Sequence, residues 1–233
     1  MTYTPTIYDW RTSCAPFDQM FRAGGQSIAG GLTTGGARTE SPEPGGRAEL
    51  FWSFRRFGTT QQNRDASWLA SRMLNGNVLR VPLVIGVQLV PETDLTPPAD
   101  LGLTWANDKP WSNKKNWRWN PRVAVTVAAL KGATSLTVDM SDFGEVLQIG
   151  HVIGFTVDGY EFAHMVMDVE YTDAGAATIT VEPPLRRAVT TDDTMQFRPK
   201  MLVVCRNARE VGTQFQRGLH MQFAAAQFVE ALV

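Results

Sequence analysis

The amino-acid sequence predicts a mainly β protein of the α+β kind: a split β-sheet domain with one helix, and a small β-barrel or sandwich module inserted into it. Three observations carry this expectation. Residues 122–198 hold clean two-residue alternations of apolar and polar side chains and no helical spacing. One stretch, Thr60–Leu74, repeats apolar residues at the spacing of a single buried helix face. Short apolar runs flank 122–198 on both sides, so one sheet drawn from residues 1–121 and 199–233 is the simplest account.

Taken in order, the first 50 residues mix the anchors Tyr8, Trp10, Phe17 and Phe21 with the glycine pairs Gly24-Gly25, Gly30-Gly31, Gly35-Gly36 and Gly45-Gly46. No Lys-Ser/Thr follows these glycines, so they predict turns or the ends of short strands rather than a phosphate-cradling loop. The run from Ser41 to Gly46 predicts an exposed turn leading into a strand over Arg47–Phe57. That strand carries Leu50, Trp52 and Phe54 on one face and Glu49, Phe51, Ser53 and Arg55 on the other. Thr59 or Thr60 can cap the helix, Ala66, Leu69, Ala70 and Met73 form its buried stripe, and Asn75-Gly76 stops it. Asn77–Val90 predicts one or two strands.

Between Pro91 and Pro121 five prolines rule out long regular elements, which leaves an extended connector. It contains Trp105, Trp111, Trp117 and Trp119, with Lys109, Lys114, Lys115, Arg118 and Arg122 among them. Three uses fit such a stretch: pinning the connector to its own core, anchoring a neighbouring subunit, or stacking on a sugar polymer or single-stranded nucleic acid. In the module, Leu136, Val138 and Met140 alternate with polar neighbours, as do Ala177, Ile179 and Val181. Asp158-Gly159 marks a two-residue hairpin turn between His151–Val157 and Tyr160–Val169. Pro183-Pro184 ends the following strand. Met201–Cys205 is a short apolar strand, and Phe215, Leu219, Met221, Phe223 and Phe228 predict further strands that complete the first sheet.

Composition narrows the function. The chain has 233 residues, 43% of them hydrophobic and 19% charged, with a net charge of -1. Such a balance argues against a whole-protein electrostatic footprint for duplex DNA or an anionic membrane, and no sequence-specific nucleic acid is expected as a partner. The longest apolar runs fall well short of the roughly 20 residues that span a bilayer. The N-terminal stretch has neither a basic start nor an apolar core, so no signal peptide is expected. Cys14 and Cys205 match no ligand spacing and predict free thiols of a protein made in a reducing cytoplasm.

No catalytic constellation is legible. The three histidines, His151, His164 and His220, accompany no G-x-S-x-G elbow. His151 and His164 could join Asp158 and Glu161 across the hairpin, yet that spacing matches no recognised metal set. His164 instead predicts a hydrogen-bonded histidine at a core edge. No catalytic residue, metal or cofactor is therefore expected.

The string LQIGHVIGF, followed by a strand and then TVEPPLRRAV, resembles a segment recurrent in the distal tail proteins of long-tailed bacteriophages and gene transfer agents. The matching residues are Leu147, Gly150, Ile153, Gly154, Phe155, Val181, Glu182, Pro183, Pro184, Leu185 and Arg186. The acidic residue usual after the first glycine is His151 in this chain. The resemblance covers about a third of the chain. It implies a structural, non-enzymatic protein of the virion tail tip, synthesised in the bacterial host cytoplasm. Its split domain would form a belt-like ring, usually hexameric, that joins the tail tube protein above to hub and baseplate proteins below. On that reading Trp111, Trp117, Arg118 and Trp119 are the candidate subunit-interface residues. The reading from another class is a carbohydrate- or single-stranded-nucleic-acid-binding module using Trp105–Trp119. A cell-wall hydrolase would need a carboxylate or metal grouping that the sequence does not offer.

Overall fold

The computed structural model describes residues 6–24, 26–32, 38–43, 46–91, 94–95, 121–172, 175–211, 214–216 and 220–232. The protein is mainly β, with one α-helix and two multi-stranded sheets among the described residues. The elements run β1 (Ile7–Asp9), β2 (Asp18–Arg22), β3 (Gln26–Leu32), β4 (Arg38–Glu43), β5 (Glu49–Ser53), α1 (Thr60–Leu74) and β6 (Val78–Pro82). They continue with β7 (Arg122–Val127), β8 (Ser135–Asp139), β9 (Val152–Val157), β10 (Tyr160–Tyr171), β11 (Ala176–Glu182) and β12 (Thr194–Gln196). Last come β13 (Lys200–Cys205), β14 (Gln214–Gln216), β15 (His220–Gln222) and β16 (Ala226–Glu230).

Six strands form an open sheet in the order β1-β6-β13-β16-β5-β2. Its central pair, β13 and β16, comes from the C-terminal part of the chain and its remaining strands from the N-terminal part. Alternation sends Leu50 and Trp52 of β5 into the core and leaves Glu49, Phe51 and Ser53 half-buried on the other side. Helix α1 closes the inner face with Ala66, Leu69 and Met73. The predicted bounds hold at both ends: Thr59 and Gln62 make a reciprocal capping box, and Gly76 takes a positive φ just beyond Asn75. Gln62 also donates from Nε2 to Ser13 O (3.1 Å), which ties the cap to a short 3-10 turn at Thr12–Cys14. Aromatic rings fill the space between: Trp10 meets Trp52 edge-on at 4.8 Å, and Phe223 meets Phe54 and Phe57 at 5.2 Å each.

The sheet is strongly curled. Three strands separate β6 from β2, yet Gln19 of β2 reaches the chain leaving β6. Its Oε1 accepts the Val84 N–H (2.7 Å) and its Nε2 donates to Pro82 O (3.4 Å). A side-chain amide thereby occupies the place a strand residue would take.

Residues 122–196 form the second sheet, a closed barrel in the order β10-β11-β8-β7-β12-β9. Of the two predicted alternatives, barrel and sandwich, the structure has the barrel. Asp158 and Gly159 both take positive φ, 52° and 80°, as a two-residue hairpin turn with right-handed strand twist requires. Leu136, Val138, Phe155, Ile179, Val181 and Phe197 fill the interior, and Val90 and Leu95 join them from before β7.

Three details differ from the sequence reading, and one open alternative is resolved. Ser41, Pro42 and Glu43 belong to β4, which pairs with β3, rather than to a turn. Gly30-Gly31 lies inside β3, where the pairing register shifts, so this glycine pair marks a bulge. Of the one or two strands expected over Asn77–Val90 there is one, β6, and beyond Pro82 the chain turns. Leu83, Ile85 and Leu89 enter the sheet's core there, while Val84 and Val87 stay exposed. Finally, β14 and β15 pair only with each other, and β16 alone of the strands after Glu210 joins the six-stranded sheet.

Gly154 of β9 sits where the barrel meets the chain entering β13. A Cβ there would lie 2.7 Å from Pro199 Cβ and 3.1 Å from Phe162 O, so this position admits no larger residue without a shift. Gly154→Ala is expected to lower unfolding free energy by about 1–3 kcal/mol in urea denaturation, as overpacking does. Gly58→Ala, at a position with open space and no positive φ, is expected to stay within about 0.5 kcal/mol of wild type.

Candidate functional site

The described polar side chains converge on the joint between sheet and barrel. Arg186, in the segment after β11, reaches across to Glu230 of β16. Its Nε donates to both carboxylate oxygens (2.9 and 3.0 Å) and its Nη2 to Oε2 (2.7 Å). The same Nη2 donates to Gly46 O (2.7 Å), and Glu230 Oε2 also accepts the Ala48 N–H (3.2 Å). Glu230 is only 1% exposed. A carboxylate so far from water is tolerated because a planar fork satisfies it from two directions at once.

A second contact lies at the hairpin tip. Glu161 of β10 accepts from Arg80 Nε of β6, and Arg80 also pairs with Asp9 at 2.9 Å. Beside it Tyr160 packs with Val78 and Leu202 of the sheet, while Arg187 lies over the Tyr160 ring at 4.0 Å and pairs with Asp158 at 3.3 Å. Backbone bonds complete the seam: Val152 N–H to Gln88 O (2.6 Å) and Leu83 N–H to Pro199 O (3.0 Å). Arg198 Nη1 adds a bond to Val90 O (2.9 Å).

The four residues weighed as a metal set are therefore engaged separately. Asp158 faces Arg187, Glu161 faces Arg80, and the two histidines bind backbone. His164 is 1% exposed and its Nδ1 lies 2.7 Å from Pro183 O, an acceptor only, so the proton sits on Nδ1. Complete burial pushes its pKa down to about 4, against smaller opposing effects of the Pro183 bond and Glu230, with Arg186 acting in the same direction as burial. His151 Nδ1 accepts the Gln148 N–H (3.1 Å), and burial lowers its pKa although Asp94 works the other way. Among the described residues no three His, Cys, Asp or Glu groups assemble as a metal site. Cys14 and Cys205 are free and buried, and burial pushes both thiols up to about 11.

A second surface is the edge of the sheet at β2, the last strand of its order among the described residues. Met20, at its centre, is 43% exposed, and Phe17, just before it, is 59% exposed. Arg55 Cζ lies 3.8 Å over the Phe17 ring, and Arg22 Cζ lies 4.7 Å over Phe51 of the neighbouring strand. Aromatic, Met and Arg side chains are the types enriched in protein interfaces. Trp105, Trp111, Trp117, Arg118 and Trp119 lie outside the described residues.

Sequence reasoning named Arg186 within the resemblance without a partner, and missed Glu230 and Gln19. The available signal for Glu230 was a lone acid inside the apolar run Phe228–Val233. Neither the models of known protein families nor the curated proteins contain a match to this chain.

Arg186→Met alone would leave Glu230 buried without its cation, and chemical denaturation is expected to show a loss of about 3–5 kcal/mol. Arg186→Met combined with Glu230→Leu, which removes both charges, is expected to recover a large part of that loss.

Proposed function

We propose that this protein is a structural subunit of a phage-like tail tip, without catalytic activity, that assembles with copies of itself into a ring. In this reading the curled six-stranded sheet forms the ring and the barrel projects from it. The tail tube protein lies above and hub or baseplate proteins below, and the hexameric number follows from the sequence resemblance. Its place in the cell is the virion tail tip, after synthesis in the host cytoplasm. Among the described residues no helix is long and apolar enough to cross a membrane.

The observation that carries the proposal is where the resembling residues sit. Leu147, Ile153, Phe155, Val181 and Leu185 build the barrel core, but Gly154 meets Pro199 and Arg186 grips Glu230. The shared segment therefore specifies how a barrel is mounted on a sheet, which is more than a barrel alone requires. The β2 edge adds support. It carries a charge at each end, Asp18 and Arg22, but presents Met20 between them and Phe17 before them. Edge strands of proteins that stay monomeric are ordinarily shortened, charged or covered. A ring contact is heterologous, so a second, different patch is needed. The Pro91–Pro121 connector is assigned to it, with Trp111, Trp117 and Trp119 as anchors and Arg118 as a polar clamp.

Native mass spectrometry at micromolar concentration is expected to give one closed oligomer for the wild type. Phe17→Lys with Met20→Lys should yield a monomer of unchanged circular dichroism, and so should Trp117→Ala with Trp119→Ala. A wild-type monomer that is also retained on immobilised glycan or single-stranded oligonucleotide would instead establish the binding-module reading. Absence of the protein from purified tail particles would end the tail-tip assignment.

A further inference from the structure

Charge is divided unevenly along this chain. Residues 132–185, which build most of the barrel, hold nine Asp and Glu and no Lys or Arg, so all 22 basic residues lie outside that stretch. Two of the nine acids are matched at the joint, Asp158 by Arg187 and Glu161 by Arg80. Four others share the outer wall of the barrel: Asp168 and Glu170 on β10, Glu182 on β11 and Asp139 on β8. Their neighbours Val138, Val169 and Val181 face the barrel core, so alternation turns the acids outward. Among the described residues none of these four enters an ion pair. The opposite charge gathers on α1 and the turn beside it. Arg64, Trp68 and Arg72 stand four residues apart on one stripe, on a different face from the buried Ala66, Leu69 and Met73. Arg11 Cζ lies 4.6 Å from the centre of the Trp68 ring, and Arg72 Cζ lies 5.3 Å from it and 4.4 Å from that of Tyr8. Two guanidiniums over one indole repel each other, and a nearby anion relieves this. Asp65, the carboxylate that Arg11 feels, already accepts from Ser13 and Gln61. Arg64 and Arg72 have no carboxylate partner among the described residues. Arg72 Nη1 donates to Tyr8 Oη (3.3 Å), while its Nε is buried without an acceptor. Rings rather than anions hold this guanidinium in place.

We propose that the Arg64–Trp68–Arg72 stripe of one copy, together with Arg11, is the docking site for the acidic barrel wall of the next copy. The inference rests on the self-assembly proposed above and adds a contact away from the sheet edge. Charge complementarity identifies the occupant, because one chain carries both surfaces and does not join them. Among the described residues no ion pair links α1 to the barrel wall, so the match is left for another copy to make. Helix meeting barrel is a heterologous contact, the kind that closes a ring. The chemistry suits both sides. Stacked guanidiniums present a planar, oriented edge of N–H donors, and carboxylates standing on paired strands are acceptors in known register. The wall also carries apolar surface, since Met167 is 43% and Ile149 68% exposed. Their chain neighbours Val166 and Gly150 are hydrogen-bonded (2.8 Å). A single-stranded nucleic acid would instead need free aromatic faces for its bases, and guanidiniums already lie over Tyr8 and Trp68.

Sedimentation velocity of the full chain tests this with two charge-reversed variants, Arg64→Glu with Arg72→Glu on the helix and Asp168→Lys with Glu170→Lys on the barrel. Wild-type association is expected to weaken about tenfold between roughly 50 and 500 mM salt. Each variant alone is expected to associate about a hundredfold more weakly, with unchanged circular dichroism. Mixing the two in equal amounts is expected to restore association, because in an alternating assembly every helix again meets a wall of opposite charge. Weakening without restoration would overturn the proposal, since the losses would then be structural. An oligomer indifferent to both reversals would overturn this contact and leave the ring standing, whereas a wild type that is monomeric at low salt would overturn both. A wild-type monomer retained on a single-stranded oligonucleotide, with retention abolished by the helix reversal, would assign the stripe to phosphate and overturn the docking. Should the helix variant fail to fold, Arg64→Glu alone, at an exposed position, takes its place in the same mixture.

Discussion

The buried pair between Arg186 and Glu230 does three jobs that no other described contact combines. It seats the barrel, it orients the segment entering β5 through Gly46 and Ala48, and it fixes the end of β16. Each follows from the same constraint. A carboxylate removed from water demands several donors in fixed directions, and a guanidinium demands matching acceptors. The surrounding backbone has to adopt the one arrangement that supplies them. Apolar contact would hold sheet and barrel together almost as firmly but would tolerate sliding. A fork-shaped ion pair with backbone partners on both sides does not, so the pair sets the angle of the joint as well as its strength.

Much of this was legible in the chain, for reasons that differ by element. The strands over Glu49–Ser53, Ser135–Asp139 and Ala176–Glu182 announce themselves because each has one buried face, so alternation is enforced residue by residue. The helix is legible to its caps, since Thr59, Gln62 and Gly76 act through local geometry alone. By contrast, β3 and β4 carry Gly30, Gly31, Ser41 and Pro42, residue types that ordinarily mark turns, and only their mutual pairing makes them strands. Closure of the barrel was not legible either. It depends on β12, three residues long, bridging β7 and β9, and no pattern of so few residues reveals a partner. The joint is a further step removed, because Arg186 and Glu230 stand 44 positions apart and are matched by the fold rather than by spacing. Gln19 is the limiting case: an amide in an edge strand looks like any polar surface residue until its neighbours are in place.

Two kinds of contact surface emerge from the same sheet. Toward the barrel it offers charge held in fixed geometry, and at and beside β2 it offers the exposed Met20 and Phe17, with arginines over the rings of Phe17 and Phe51. The first kind favours one orientation, while the second adapts to a partner by repacking, as Met and stacked Arg do readily. In the proposed ring, a subunit that must keep its own shape while joining others would benefit from having both, each confined to its own side.

The strand order has a consequence for the way the chain is made. Barrel strands follow one another without interruption, and the two residues that complete their core, Val90 and Leu95, precede them. As the chain leaves the ribosome, the barrel has all it needs before β13 emerges. The sheet does not, because β6 and β5 wait for β13 and β16 to fill the gap between them. During that interval both carry unsatisfied backbone and apolar faces, the condition under which nascent chains pair with one another incorrectly. Completion is thus a late, long-range event at the end of translation, and a crowded polysome, rather than the finished molecule, is where this fold is most exposed to error.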